Sequence, residues 1–240
     1  TCLLATDIIT ISECTTNIIK YEYSNSTNKI TKIFHGFDIS LFATVNNKKQ
    51  SSIRKKYNIS EKDFVIGSVA RFVDWKGIEY TIESFKKLIK TKPRSILILA
   101  HAEGPYKKII LDKLHNISSK NYRIISFEKE ISTLLSIFDI FVHVPIDKQS
   151  EAFGQVYVEA LASKIPSIFT LSGIASEFIK HKVNAYVCNF KNSQEIFDGM
   201  LFYINNKESK LAIAKKGQED VVKIFSIEKM IDKLEKIYLK

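Results

Sequence analysis

Two carboxylates and a glycine share one largely apolar stretch of the sequence, from Glu151 to Thr170. Glu151 and Glu159 are separated by eight positions, and Gly154 lies between them. The apolar spacing predicts a helix, along which eight positions span at most about 12 Å. A buried unpaired charge is costly, so Glu159 either leans out to water or has a ligand as its partner. Carboxylates at this separation could accept hydrogen bonds from hydroxyl groups at both ends of one ligand.

Two cations lie in a second stretch, where an apolar strand gives way to a predicted helix. Arg71 and Lys76 precede that helix, and Gly77 belongs to its first turn. A helix N-terminus favours anions through its free N–H groups and its dipole. Arginine and lysine beside it indicate a phosphate site, although two cations on a surface loop are the simpler interpretation.

The composition is that of a globular protein. The chain has 240 residues, of which 45% are hydrophobic, and this length fits one large domain or one domain plus part of another. No apolar run approaches the roughly 18 residues of a membrane-spanning helix, and the first residues lack a signal-peptide pattern. Cys2, Cys14 and Cys188 show neither metal-ligand spacing nor a disulfide framework, so we expect a reducing compartment.

The net charge of +10 raises the question of polyanionic partners. The lysines, however, are scattered through amphipathic helical patterns such as "ESFKKLIKTK", which is typical of solvated faces. Since no aromatic and basic platform is present, we expect no nucleic-acid binding. Peripheral contact with an anionic membrane surface stays open on charge alone.

Strand and helix patterns alternate from Phe64 onward. Apolar strands such as "FVIGSVA", "SILILAH" and "DIFVHV" are separated by amphipathic helices, and three helices follow the last strand, over about 193–205, 208–224 and 226–239. This alternation predicts an α/β fold with a doubly wound, Rossmann-like parallel sheet. Ligands of such sheets bind at the carboxyl ends of the strands, where the loops before Lys76, Gly104 and Glu151 would meet.

Several segments, in this order, carry a family resemblance. They are "KIFHGFDISLF", "IGSVARFVDWKGIEYTIESFKKL", "LILAHAEGPYKKIILDKL", "SEAFGQVYVEALASKIPSI", "SGIASEFI" and "FSIEKMIDKLEKIY". The fourth contains two glutamates with seven residues between them, followed by a proline. The chain resembles the carboxyl-terminal half of a GT-B fold glycosyltransferase of the retaining group known as family 4. The resemblance covers essentially the whole chain.

The resemblance implies roles for the charged residues. In that family the carboxyl-terminal domain binds the nucleotide-sugar donor. Arg71 and Lys76 would neutralise its diphosphate and stabilise the leaving group, and Glu151 would contact the sugar hydroxyls; these three form the implied catalytic set. Glu159 would accept hydrogen bonds from the ribose hydroxyls. The implied nucleotide-sugar-binding set is Gly77, Gly104, Phe153, Gly154, Gln155, Val156 and Glu159.

The resemblance also implies a division of the chain. Residues 1–34 would be the tail end of an amino-terminal acceptor domain, 35–60 an inter-domain linker, 61–225 the nucleotide-sugar-binding domain, and 226–240 a closing helix that crosses back to the amino-terminal domain. We expect nearly all of that first domain to lie outside this chain. The chain alone would then bind the nucleotide-sugar but transfer little or nothing.

The function implied is transfer of a hexose, with retention, from a UDP- or GDP-type sugar to an acceptor hydroxyl. The acceptor would be a carbohydrate or lipid-linked, the location cytoplasmic or peripheral at a membrane, and neither metal nor cofactor is expected. A sugar-nucleotide epimerase of the same fold and a non-catalytic nucleotide-sugar-binding subunit are the alternatives.

Some residues depart from the family pattern or stand apart from it. His35 replaces a usual asparagine and is assigned no role, and the glycine common near Ala102 is absent. The five histidines are isolated, and each is expected to be a core or surface residue. His101 and His143 lie at predicted strand ends near the site, which makes them the two histidines of most interest.

Overall fold

The architecture is an α/β layer structure built on a parallel sheet. The computed structural model describes residue 2 and residues 4–23, 28–43 and 46–239. The strands are β1 (Ile8–Thr10), β2 (Ile30–Lys32), β3 (Phe64–Val69), β4 (Ser95–Ala100), β5 (Tyr122–Ile125), β6 (Ile140–His143), β7 (Ser167–Phe169) and β8 (Tyr186–Val187). The longer helices are α1 (Glu13–Glu22), α3 (Asn47–Lys56), α4 (Ile78–Thr91), α5 (Lys107–Leu114), α7 (Gln155–Ala162), α9 (Ser193–Asn205), α10 (Lys207–Ile224) and α11 (Ile227–Tyr238), and the short ones are α2 (Ser40–Ala43), α6 (Ile131–Leu135) and α8 (Ala175–Phe178).

The main sheet has six parallel strands in the order β5-β4-β3-β6-β7-β8. The chain starts at β3, adds strands outward on one side, returns to the centre at β6, and adds strands on the other side. This order confirms the predicted doubly wound sheet. The reversal between β3 and β6 leaves a crevice at their carboxyl ends, where ligands of this architecture bind.

Both faces of the sheet are covered by helices. Side chains alternate along β3, so Val65 and Val69 face one apolar cluster while Ile66 faces the other. One cluster is completed by α3, α6, α7 and α8, and the other by α4, α5 and α9, with α10 contributing to both. Strands covered on both faces are apolar throughout, which explains the uninterrupted runs in the sequence.

The first residues form a separate two-stranded parallel sheet, β1 with β2. Glu177 on α8 joins this unit to the main body: it accepts hydrogen bonds from the backbone N–H of Glu13 at 2.7 Å and from Lys32 Nζ at 2.6 Å. Ser12 Oγ also donates to the carbonyl of Ala152. The unit therefore lies against the loop that precedes α7.

The segment predicted as a linker contains a helix. Residues 43–52 read as a polar stretch, but α3 begins within it, capped by the Asn46 side chain, which accepts a hydrogen bond from the Lys48 backbone. Ile53 of α3 and Ile59 beyond it are buried in the core. Positions 44 and 45 lie outside the described residues. The proposed boundary between 35–60 and the following domain stays a prediction.

The last helix, α11, returns toward the segment after β2. Gly36 N–H points at Met230 Sδ at 3.1 Å, and a Cβ on Gly36 would lie 2.6 Å from the Cα of Ile227. Ile231 remains 43% exposed, so only part of the apolar face of α11 is covered. Among the described residues, no helix combines the length and apolarity needed to cross a membrane.

Candidate functional site

A cavity of about 330 Å³ opens at the carboxyl ends of β3 and β6, where the strand order reverses. It lies where the fold predicts a ligand. A larger hollow of about 630 Å³ beside α1 is lined mainly by exposed or half-buried side chains. We favour the smaller cavity because it contains buried charged groups. Its walls are formed by Val69, Lys76, His101, His143, Glu151, Gly154, Gln155, Val156 and Glu159.

Glu151 is the charged centre of the cavity. Its side-chain Oε1 accepts from Lys76 Nζ at 2.5 Å and from His143 Nε2 at 2.8 Å, and its backbone N–H donates to Ser172 Oγ at 3.0 Å. The residue is only 7% exposed. Burial by itself would raise the pKa of this carboxyl, but His143 and Lys76 outweigh it and lower the pKa to about 2. Glu151 is therefore ionised at neutral pH.

His143 ends strand β6 and is 2% exposed. Its ring meets the buried Tyr157 ring edge to face, with centroids 4.9 Å apart. Burial lowers the pKa of the imidazole, and this outweighs the attraction of the Glu151 carboxylate, which raises it. The ring is therefore neutral at pH 7, and Nε2–H donates to the Glu151 carboxylate.

Glu159 is the carboxylate within helix α7. Its side chain is half-buried in the cavity wall and accepts one hydrogen bond, from Gln155 Nε2 at 2.8 Å. Burial raises its pKa, only partly offset by that bond, and within the described parts of the chain no cation pairs with it. A desolvated carboxylate with one neutral partner is poised to accept hydroxyl groups.

The N-terminus of α7 adds backbone donors to the same cavity. Gly154 precedes the helix with a φ of +86° and offers no side-chain cap. No described residue accepts from the N–H of Gln155 or Val156, both of which lie in the cavity wall. Free N–H groups at a helix start are donors to an anion or a polar ligand.

Two of the predicted site glycines lie close to protein backbone. Gly77 has a φ of +64°, and a Cβ there would sit 2.1 Å from the Val144 carbonyl oxygen. Gly104 has a φ of +148°, and its Cβ would lie 2.3 Å from the Phe72 carbonyl oxygen. The close approach that needs glycine is to protein backbone in both cases. These residues shape the loops, and neither lines the cavity.

Phe153 and Arg71 are also absent from the cavity wall. The ring of Phe153 is buried and stacks on Phe37, with centroids 5.9 Å apart, and its edge meets His35 at 5.0 Å. It therefore ties the loop before α7 to the segment after β2. Arg71 is exposed at the end of β3, beside the fully buried Phe72.

The structure thus brings six of the predicted site residues together and adds three that were not in that set. The six are Lys76, Glu151, Gly154, Gln155, Val156 and Glu159. The added residues are Val69, His101 and His143, and the two histidines stood at predicted strand ends. Among the described residues, no group of three or more His, Cys, Asp or Glu side chains is arranged as a metal site.

Comparisons with known proteins agree with this architecture. The family model described as "Glycosyl transferases group 1" matches residues 49–220. The chain is 24% identical to N-acetyl-alpha-D-glucosaminyl L-malate synthase of Bacillus anthracis over 80% of this chain and 49% of that protein. It is 27% identical to the capsular polysaccharide biosynthesis glycosyltransferase CapM of Staphylococcus aureus over 98% of this chain and 61% of that protein.

A solved structure shares the fold. The crystal structure of Anabaena Alr3699/HepE in complex with UDP-glucose superposes with a TM-score of 0.87, at 22% identity, over 98% of this chain and 64% of that chain. The chain thus spans about half to three fifths of the length of the curated relatives named above. Because the family model covers well over half of the 240 residues, the chain belongs to the glycosyl transferases group 1 family.

Proposed function

We propose that this chain is the nucleotide-sugar-binding part of a retaining glycosyltransferase that moves a hexose from a nucleoside-diphosphate sugar to an acceptor hydroxyl. One observation carries the proposal: a cavity at the switch point of the sheet combines Lys76, two carboxylates and the free N–H groups of a helix start. A nucleotide-sugar presents hydroxyls at both ends and anionic phosphates between them, which matches this order of groups.

The cations would serve the diphosphate. Lys76 lies in the cavity wall, and the exposed Arg71 lies in the same connection between β3 and α4. Negative charge grows on the leaving diphosphate as the glycosidic bond breaks, and positioned cations stabilise it more in that state than before it. We propose that these side chains supply the positive charge without a metal ion.

The carboxylates would serve the two ends of the nucleotide-sugar. We propose that Glu151 accepts hydrogen bonds from hydroxyls of the hexose and that Glu159 accepts from the two ribose hydroxyls. The N–H groups of Gln155 and Val156 would face the phosphates. Charge-assisted hydrogen bonds of this kind contribute about 1.5–3 kcal/mol each.

The remaining partners are proposed from the family. We propose a carbohydrate or lipid-linked acceptor that binds mainly to an amino-terminal domain not included in this chain. The named relatives are a synthase and a glycosyltransferase, which does not favour the epimerase alternative. We also propose peripheral contact of the whole protein with an anionic membrane surface; failure to bind anionic vesicles at low salt would contradict it.

A thermal-shift panel with UDP, GDP, ADP and their sugar conjugates tests the proposal. A ligand at a hundred times its dissociation constant stabilises by about 2.7 kcal/mol. With an unfolding entropy of about 2.1 cal/mol/K per residue, that is about 5 °C for a chain of this length. Replacing Glu159 by Ala should remove most of the shift, whereas the control Glu235→Ala, on the exposed side of α11, should keep it.

Two results would count against the proposal. A folded chain that responds to none of the nucleotides would refute nucleotide-sugar binding by this chain. Selective stabilisation that Glu159→Ala leaves intact would show that a nucleotide binds away from this cavity.

A further inference from the structure

The two oxygens of Glu151 have different surroundings. Oε1 accepts from both Lys76 and His143, while Oε2 accepts from no described residue. Oε2 is also not among the fully buried polar atoms that lack a partner, so it keeps some exposed surface, and Glu151 lines the cavity. One oxygen is anchored to the protein, and the other is left to accept from a ligand.

The two anchors of Oε1 differ in burial and packing. His143 is held in strand β6, and its ring is fixed against Tyr157. Lys76 reaches Glu151 through a long side chain that keeps 19% of its surface exposed. A lysine ammonium also binds diphosphates. Once a nucleotide-sugar binds, Lys76 would therefore have two anionic partners, the Glu151 carboxylate and the diphosphate.

The protonation of His143 follows from its contacts. Nε2 is 2.8 Å from a carboxylate oxygen and must carry the proton that it donates. Nδ1 is buried and has no partner among the described residues, so the proton lies on Nε2. The ring therefore supplies one fixed, neutral N–H donor, which does not leave when the charges in the cavity rearrange.

We propose that His143 is a positioning residue, which holds Oε1 of Glu151 when Lys76 turns to the diphosphate, so that Oε2 stays directed at the hexose. This inference rests on the proposed function. It adds His143 as a second residue, which holds the proposed sugar-binding residue Glu151 in place. It predicts that His143 affects binding of the sugar moiety and not of the nucleotide. A histidine that only fills the core would affect both, or only the stability of the fold.

The test is a ratio of dissociation constants, measured by titration calorimetry. UDP is compared with UDP-glucose, GDP with GDP-mannose and ADP with ADP-glucose, for the wild-type chain and its variants. His143→Leu removes the donor, and His143→Gln keeps an N–H that can reach Glu151. His115→Leu, at an exposed position after α5, is the matched control.

We expect His143→Leu to lower affinity for the sugar conjugate about tenfold while affinity for the free nucleotide is unchanged, since one hydrogen bond to a charged group is lost. His143→Gln should recover most of the ratio, and His115→Leu should match wild type. A wild-type ratio in His143→Leu, or an equal loss in the Leu and Gln variants, would overturn the role of His143 alone. Failure of the wild-type chain to bind any nucleotide would overturn the proposed function as well.

A measurement on the wild-type chain covers the case in which His143→Leu does not fold. Long-range proton–nitrogen spectra at neutral pH report the tautomer of each histidine. The expected result is that the imidazole assigned to His143 is neutral, with its proton on Nε2 and a bare Nδ1. A proton on Nδ1 of His143, or a doubly protonated ring, would overturn the proposal.

Discussion

Acid stability offers a direct test of the surroundings of Glu151, through the change Glu151→Gln. The folded chain lowers the pKa of this carboxyl from 4.5 to about 2, because His143 and Lys76 outweigh the effect of burial. That difference corresponds to up to about 3 kcal/mol of stability at neutral pH. The figure is an upper bound, since the unfolded chain and relaxation of Lys76 both reduce it.

The sign of the effect follows from the lowered pKa. A carboxyl that is harder to protonate in the folded state stabilises the fold above its unfolded pKa, near 4.5. The contribution is lost progressively as the pH falls from 4.5 through about 2. Glutamine cannot titrate, so the difference between wild type and Glu151→Gln should be present at pH 7 and should close as the pH falls toward 2, where Glu151 becomes protonated in the folded state as well.

Urea unfolding at a series of pH values between 2 and 7 measures this convergence. Glu128 also has its pKa lowered to about 2, but it is present in both chains and cancels in the difference. Glu235→Gln, at an exposed site on α11, is the control and should track wild type. A gap between wild type and Glu151→Gln that stays constant over this range would refute the described contacts of Glu151.

Three further predictions concern residues that support the fold outside the charged groups of the site. Gly77→Ala should destabilise the fold by about 3 kcal/mol or more in urea unfolding, because φ is +64° and a Cβ would meet the Val144 carbonyl at 2.1 Å; a loss below about 1 kcal/mol would contradict this. Tyr157→Phe should cost about 1 kcal/mol, since the hydroxyl donates to the Thr170 carbonyl at 3.2 Å; unchanged stability would show that this bond contributes nothing. Burial raises the pKa of Cys188 to about 12, so iodoacetamide at pH 8 should modify it only in urea; labelling of the folded chain, located by peptide mass mapping, would contradict its burial.

The main sheet and the helices around it could be predicted from the sequence because their periodicity is strong. Helices expected over about 193–205, 208–224 and 226–239 correspond to α9, α10 and α11. The strands were recognisable as apolar runs because helices cover both faces of the sheet. By contrast, α3 buries Ile53 alone within a polar stretch, so no apolar repeat marked it as a helix.

The sequence could predict those parts of the site whose position is set by the backbone alone. Glu151, Gly154 and Glu159 surround one helix start, and a helix start after a strand must lie at the sheet's carboxyl edge. Side-chain direction was less accessible. Phe153 belongs to the apolar stretch whose spacing predicts a helix, but α7 begins only after Gly154, and the ring stacks on Phe37.

The contact between His143 and Glu151 could not be predicted at all. Eight positions separate them, and the intervening loop has no regular periodicity. Only the path of that loop brings the carboxylate back to the end of β6. The histidine stood out in the sequence by its place at a strand end, without any sign of its partner.

The most direct test of the central claim is a crystal structure of this chain with the sugar conjugate that stabilises it most. The account predicts the nucleotide-sugar in the cavity at the ends of β3 and β6, with ribose hydroxyls on Glu159, the diphosphate at Lys76 and the N-terminus of α7, and the hexose at Oε2 of Glu151. A ligand bound elsewhere, or one that leaves Glu159 without a hydroxyl partner, would contradict it.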